Sequence, residues 1–149
     1  MVDPNAEFTE GWAAQFTPLT LVLTGVDCQQ PVSLPLVVML VERGADVNKR
    51  ASIYGHTTPL LEAVGDLDLE VVEYLLAHGA DPNAGDDDGR TPLMSVSDNS
   101  GEAPFAIVRV LLRAGANPKA VEKHGLTATA WFRQLRRPDI ADFIEQASK

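Results

Sequence analysis

The amino-acid sequence predicts an all-α solenoid in which helix–turn–helix units stack side by side, with short β-hairpin-like turns projecting between them. Three observations carry this expectation. Residues 58–84, TPLLEAVGDLDLEVVEYLLAHGADPNA, read as one complete two-helix unit with its own start and stop signals. Thr91-Pro92-Leu93 repeats Thr58-Pro59-Leu60 after 33 residues. Gly115-Ala116-Asn117-Pro118 answers Gly79-Ala80-Asp81-Pro82, and Ile107, Val108, Leu111 and Leu112 precede Gly115 at the same offsets as Val71, Val72, Leu75 and Leu76 precede Gly79. A unit of this size cannot bury its apolar stripe alone, so recurrence at a fixed period implies neighbours that cover it.

Taken in order, residues 1–16 form a polar lead-in whose dispersed Phe8, Trp12 and Phe16 are expected to cover the first unit, residues 17–50. Thr17-Pro18-Leu19 opens that unit, and LPLVVMLVERGADVN closes it, with Ser33 and Pro35 as the expected cap and first-turn residue. Thr17 to Gly44 spans 27 residues, against 21 from Thr58 to Gly79, so an insertion between the helices is placed around Gly25 to Pro31. The connection KRASIYGHT before Thr58 is also long and reads as a modified first finger. In the second unit, residues 51–84, Thr58 is the N-cap and Pro59 sits in the first turn, where its missing N–H would go unbonded anyway. Leu60, Ala63 and Val64 share one face of a short helix that loosens at Gly65 and Asp66. Val71, Val72, Leu75 and Leu76 give the second helix its stripe, Glu70, Glu73 and His78 face outward, and Gly79 supplies the left-handed stop. The third unit, residues 85–120, carries extra residues at SDNSGEAP, which reads as a loop. The fourth, residues 121–149, keeps Gly125-Leu126-Thr127 but has Ala128 in place of proline and bulky Phe132 in place of a small residue. Asp139, Asp142 and Glu145 around Ile140, Phe143 and Ile144 give its last helix the polar outer face of a terminal cap.

With these landmarks the chain resembles the ankyrin-repeat family, whose units open with G-x-T-P-L-H-x-A and close with G-A-D-x-N. The resemblance covers Thr17 to Ser148, closely in the middle and more loosely at both ends. It implies a single domain of about four repeats that recognises another protein through a concave face of turn tips and first helices. Matched position by position, Arg50, Ser52, Tyr54 and His56 fall on the first finger, Asp86, Asp87, Asp88 and Arg90 on the second, and Glu122, Lys123 and Leu126 on the third. The inner helices add Glu62, Asp66, Met94, Ser97, Asp98 and Trp131, the last of which also suits core packing.

Composition narrows the classes of function. A hydrophobic share of 45 % with 22 % charged residues is ordinary for a soluble globular chain. A net charge of −9 argues against nucleic-acid backbones and anionic membranes as the main partner and favours a basic protein. The N-terminus lacks a secretory pattern, and the single Cys28 fits a reducing compartment and a free surface thiol, so a cytoplasmic location is expected. A mature exported chain whose signal had been removed would read the same way. Asp81-x-Asn83 begins a calcium-loop pattern, but Pro92 stands at the twelfth position where a bidentate glutamate is required. His56, His78 and His124 form no ligand set, and Gly85, Gly89 and Gly101 form no phosphate loop. No catalytic residue, metal or cofactor is expected. The resulting expectation is a non-enzymatic module, monomeric when free, that binds a partner through an acidic concave face. A stoichiometric inhibitor, such as a bacterial toxin-immunity protein, is the alternative, and a ligand-sensing or catalytic domain the remoter one.

Overall fold

The computed structural model describes residues 3–11, 15–24, 32–52, 55–96 and 101–148. Its helices come in pairs: α1 (Pro18–Leu23) with α2 (Leu34–Glu42), α3 (Pro59–Gly65) with α4 (Leu69–Ala77), α5 (Pro92–Ser95) with α6 (Ala103–Arg113), and α7 (Ala128–Gln134) with α8 (Pro138–Ala147). The first helices α1, α3, α5 and α7 pack in sequence as one layer, and α2, α4, α6 and α8 as the other. No strand occurs among the described residues. The core runs between the layers as one cluster, from Leu19 and Leu23 through Leu60, Val64, Leu75, Leu93, Ile107 and Leu111 to Phe132 and Ile144.

Local signals position most of these helices. Thr17 and Thr20 form a reciprocal capping box on α1. The hydroxyls of Thr58 and Thr127 accept from Leu61 N and Ala130 N, and the Asp68 carboxylate accepts from Val71 N. Gly79 has φ +89°, and the amides of Gly79 and Ala80 return to the carbonyls of Leu76 and Leu75, closing α4 with paired backbone bonds that a residue with a Cβ would strain. Gly44 and Gly115 close α2 and α6 in the same way.

Several expectations need correction. Ser33 makes no side-chain cap bond, so Pro35 starts α2 without help from a hydroxyl. The helix α5 has 4 residues against 7 in α3, and the Thr91 hydroxyl that should cap it is buried without a partner. Phe8 is 42 % exposed and covers little. Phe132, by contrast, is fully buried and supplies the core of the last pair. Trp12, Cys28, Tyr54, Ser97 and Asp98 lie outside the described residues.

Residues 3–16 do more than lead in. Asp3-Pro4-Asn5-Ala6 duplicates Asp81-Pro82-Asn83-Ala84, and the asparagines do the same work. Asn5 Nδ2 donates to the Gly44 carbonyl at 3.0 Å while its Oδ1 accepts from Asp46 N at 2.6 Å. Asn48 makes the same two bonds to Gly79 O and Asp81 N, and Asn83 to Gly115 O and Asn117 N. An asparagine ladder thus fastens each closing turn to the next.

Candidate functional site

The fingers are built by backbone pairing. Ala51 N donates to Thr57 O, Asp86 N to Arg90 O and Glu122 N to Leu126 O, which folds each finger on itself. Single bonds then join neighbours: Ser52 N to Gln15 O at 3.0 Å, Asp87 N to Gly55 O at 2.8 Å, and Lys123 N to Asp88 O at 2.8 Å. The tips form one continuous edge.

Two acids on this edge serve the turns themselves. Asp86 Oδ1 accepts from the amides of Asp88 and Arg90, both at 2.9 Å. Glu122 does the same one finger on, accepting from His124 N and Leu126 N while its other oxygen lies 2.8 Å from His124 Nδ1. Only 6 % of Glu122 is exposed, because its own turn closes over it. Desolvation there pushes the carboxyl up, and the bonds from His124 and Leu126 outweigh it, leaving the net shift downward. Glu122 is therefore a turn-holding residue whose carboxylate offers little exposed surface, against the exposed finger position expected of it. Met94 is corrected likewise: at 2 % exposure it belongs to the core, and reaching a partner would require opening the helix pair.

Of the other described tip residues, Arg50, Ser52, His56, Asp87 and Lys123 are exposed and Asp88 and Arg90 half-buried, and the charged ones pair largely across fingers. Asp87 takes Arg50 at 3.1 Å and His56 at 2.6 Å from the first finger. Asp88 takes Lys123 at 2.7 Å from the third and Arg90 at 4.0 Å from its own. The Lys123 ammonium holds the Asp88 carboxyl below its usual range. The aspartate triplet is thus flanked by Arg50 on one side and Lys123 on the other. Ser52 is held by Glu7, at 2.8 Å from its hydroxyl, and Leu126 is half-buried beneath the third finger. The Arg90 guanidinium lies 4.9 Å from the centre of the Trp131 ring, so Trp131 is half-buried with an arginine stacked over it.

Glu62 and Asp66 differ from Asp87 and Asp88. They stand one turn apart on α3, and neither forms an ion pair with a described residue. Burial raises the Glu62 carboxyl, with the Asp66 charge adding to it and the Thr57 hydroxyl opposing it. Burial and then the Asp68 charge raise Asp66. Asp66 also terminates α3, where a negative charge meets the negative end of the helix dipole. The duplicated Asp-Pro-Asn-Ala is a sequence signal for further pairing ahead of α1, where Gln15 N donates to Phe8 O and Phe8 N to Phe16 O, and where Glu7 and Gln15 meet Ser52.

A family model described as ankyrin repeats, in 3 copies, matches residues 28–122. The chain belongs to the ankyrin-repeat family. Among its ankyrin relatives, the B-cell lymphoma 3 protein homolog of Mus musculus is 34 % identical over 119 residues, 80 % of this chain and 25 % of that protein. Ankyrin repeat and SOCS box protein 6 of Homo sapiens is 36 % identical over 95 residues, 62 % of this chain and 23 % of that protein. Zygote-specific protein 3 of Chlamydomonas reinhardtii is 35 % identical over 111 residues, 74 % of this chain and 28 % of that protein. The chain spans about a quarter of the length of these relatives. Ankyrin repeats generally mediate protein–protein interaction. Among the described residues, no helix is long and apolar enough to cross a membrane, and no group of three His, Cys, Asp or Glu stands close enough to hold a metal.

Proposed function

We propose that this ankyrin domain is a non-enzymatic protein-binding module whose contact face is formed by the finger edge and the first-helix layer, with a basic group of the partner docking at Glu62 and Asp66. The observation that carries the reading is the unpaired state of those two carboxylates. Burial holds both carboxyls above their ordinary range in the free protein, the Asp66 charge adding to it at Glu62 and the Asp68 charge at Asp66. Strain of this kind is relieved when an arginine or lysine arrives, which makes it a mark of a binding position. Such a charge pair raises the association rate and selects a basic partner, while Trp131 with its stacked Arg90 supplies the aromatic anchor that slows release. Adaptor and stoichiometric inhibitor would use the same face; loss of the partner's own activity on binding separates them.

The test is affinity capture with three forms of the chain followed by kinetic measurement on the captured partner. Glu62→Gln with Asp66→Asn removes two charges from the inner face, and Glu70→Gln with Glu73→Gln removes two from the outer one. The inner pair should slow association several-fold at low salt, an effect that fades as salt shortens the Debye length. The outer pair should not. Equal behaviour of the two double variants would sink the proposal. Changing Asp86, Asp87 and Asp88 together is a poorer probe, because Asp86 holds its own turn.

A further inference from the structure

The outer layer carries a different feature at its C-terminal end. Arg109, Leu112 and Arg113 of α6 face Phe143, Gln146 and Ala147 of α8 across a groove of about 560 Å³. The floor is apolar: Phe143 meets Phe105 edge to face at 5.4 Å, and Leu112 and Ala147 complete it. On the rim, the Arg109 guanidinium lies 5.6 Å from the centre of the Phe143 ring. Stacking of this kind fixes a long side chain before any ligand comes, which lowers the entropy lost on binding.

The charge pattern is the decisive observation. Although 21 of the residues in the chain are Asp or Glu, none of those among the described residues lines this groove. Asp142 and Glu145 of α8 are both engaged by Arg133, at 3.3 and 2.9 Å. Neither Arg109 nor Arg113 forms an ion pair with a described residue, and both are exposed. The arrangement belongs to this repeat alone: counted back from the closing glycine, the position of Arg109 is held by Glu73 in the preceding unit, and that of Arg113 by Ala77.

We propose that this groove is a second docking site, on the layer opposite the fingers, for an acidic peptide segment of a partner protein in which carboxylates flank an apolar side chain. The two guanidiniums, one turn apart, are each able to donate two hydrogen bonds to a carboxylate in bidentate geometry. The apolar side chain enters between them onto Phe143, Leu112 and Ala147. A groove of this size holds one or two such side chains.

The probe is the acetylated, amidated peptide Glu-Asp-Leu-Phe-Asp-Glu, with Gln-Asn-Leu-Phe-Asn-Gln as its neutral counterpart, titrated into the isotope-labelled full chain and followed by amide chemical shifts. Saturable shifts confined to residues 105–113 and 140–147 are expected for the acidic peptide. The double variant Arg109→Gln with Arg113→Gln should weaken binding about tenfold or more with an unchanged melting temperature, since both side chains are exposed. Arg109→Lys, which keeps the charge but loses the planar stack, should fall between. Glu62→Gln with Asp66→Asn should leave this titration unchanged, which separates the outer site from the inner face. The proposal fails if no saturable shift appears by about 1 mM peptide, a threshold set by the weakest useful affinity. It fails equally if the neutral peptide binds as well, if inorganic phosphate reproduces the shifts at the same midpoint, or if sedimentation shows the arginine variants dispersing a homodimer that the peptide does not touch.

Discussion

Replacing Asn48 by alanine tests whether the asparagine ladder is what joins one repeat to the next. Asn48 donates to Gly79 O at 2.9 Å and accepts from Asp81 N at 2.8 Å, and both bonds cross from the first unit to the second. Its own amide bond to the Asp46 carboxylate survives the change. Two neutral hydrogen bonds are lost, each worth about 0.5–1.5 kcal/mol net, and exposure of the site lets water replace part of that. The expected cost is therefore about 1–2 kcal/mol. For a chain of 149 residues this lowers the melting temperature by about 3–6 °C. Thermal and urea unfolding followed by far-ultraviolet circular dichroism read it directly, with the urea slope unchanged because the native surface is the same. Asn48→Asp keeps the acceptor but loses the donor, and it sets a carboxylate beside Asp46 and Asp81, so it should be no better than alanine. Asn5→Ala should cost less, because its bonds join the first closing turn to residues ahead of α1 and not one helix pair to the next. A melt of Asn48→Ala within about one degree of the parent would mean that water substitutes fully and that apolar packing alone joins the repeats.

Two further outcomes follow from side chains that the shared Thr-Pro-Leu motif would treat as alike or harmless. Thr58→Val should cost about 1–2 kcal/mol through loss of the cap on Leu61 N, whereas Thr91→Val, which removes a buried hydroxyl with no partner, should be neutral or stabilise by up to about 1 kcal/mol. Equal losses in thermal melts of the two variants would contradict the difference in their surroundings. Glu62→Gln should raise the melting temperature at pH 7: the folded carboxyl titrates above its ordinary value, so the parent's contribution is full below the unfolded pKa and lost as pH rises through the folded one. The two proteins should converge below about pH 4, and a difference independent of pH would rule out the ionised carboxylate as its source.

Much of the fold was legible because repetition averages out local ambiguity. The 33-residue recurrence and the Gly79-type stops predict the helix pairs, and Thr58 caps its helix as the motif implies. Motif matching was weaker at Thr91, where the same three residues open a helix only 4 residues long, since the hydrogen bond a cap makes depends on the turn that follows it. The candidate face was less legible still. Met94 and Trp131 both sit on first helices, yet one is core and the other half-buried under an arginine, a distinction set by the neighbouring helix and invisible to spacing. The cross-finger partners of Asp87 and Asp88, which are Arg50, His56 and Lys123, lie more than thirty residues distant in the chain, so local spacing could not name them.

Those cross-finger pairs bear on how the face would work. Exposed ion pairs contribute little individually, because solvent screens them and ordering two long side chains offsets the attraction. Exchanging Arg50 or Lys123 for a partner's cation therefore costs little, and the tips at Asp87 and Asp88 can re-pair without disturbing the fingers, which are joined by backbone bonds. Asp86 and Glu122 cannot do this, since their oxygens hold the turn amides and moving them would unfold the finger. Glu62 and Asp66 need no exchange at all, having no cation to release. On the proposed reading, a basic partner therefore gains most on α3, next at the paired tips, and nothing at the turn-holding acids. This ordering of three classes of carboxylate on one face is what charge reversal at Asp66, Asp87 and Asp86 in turn would resolve, with only the last also lowering stability.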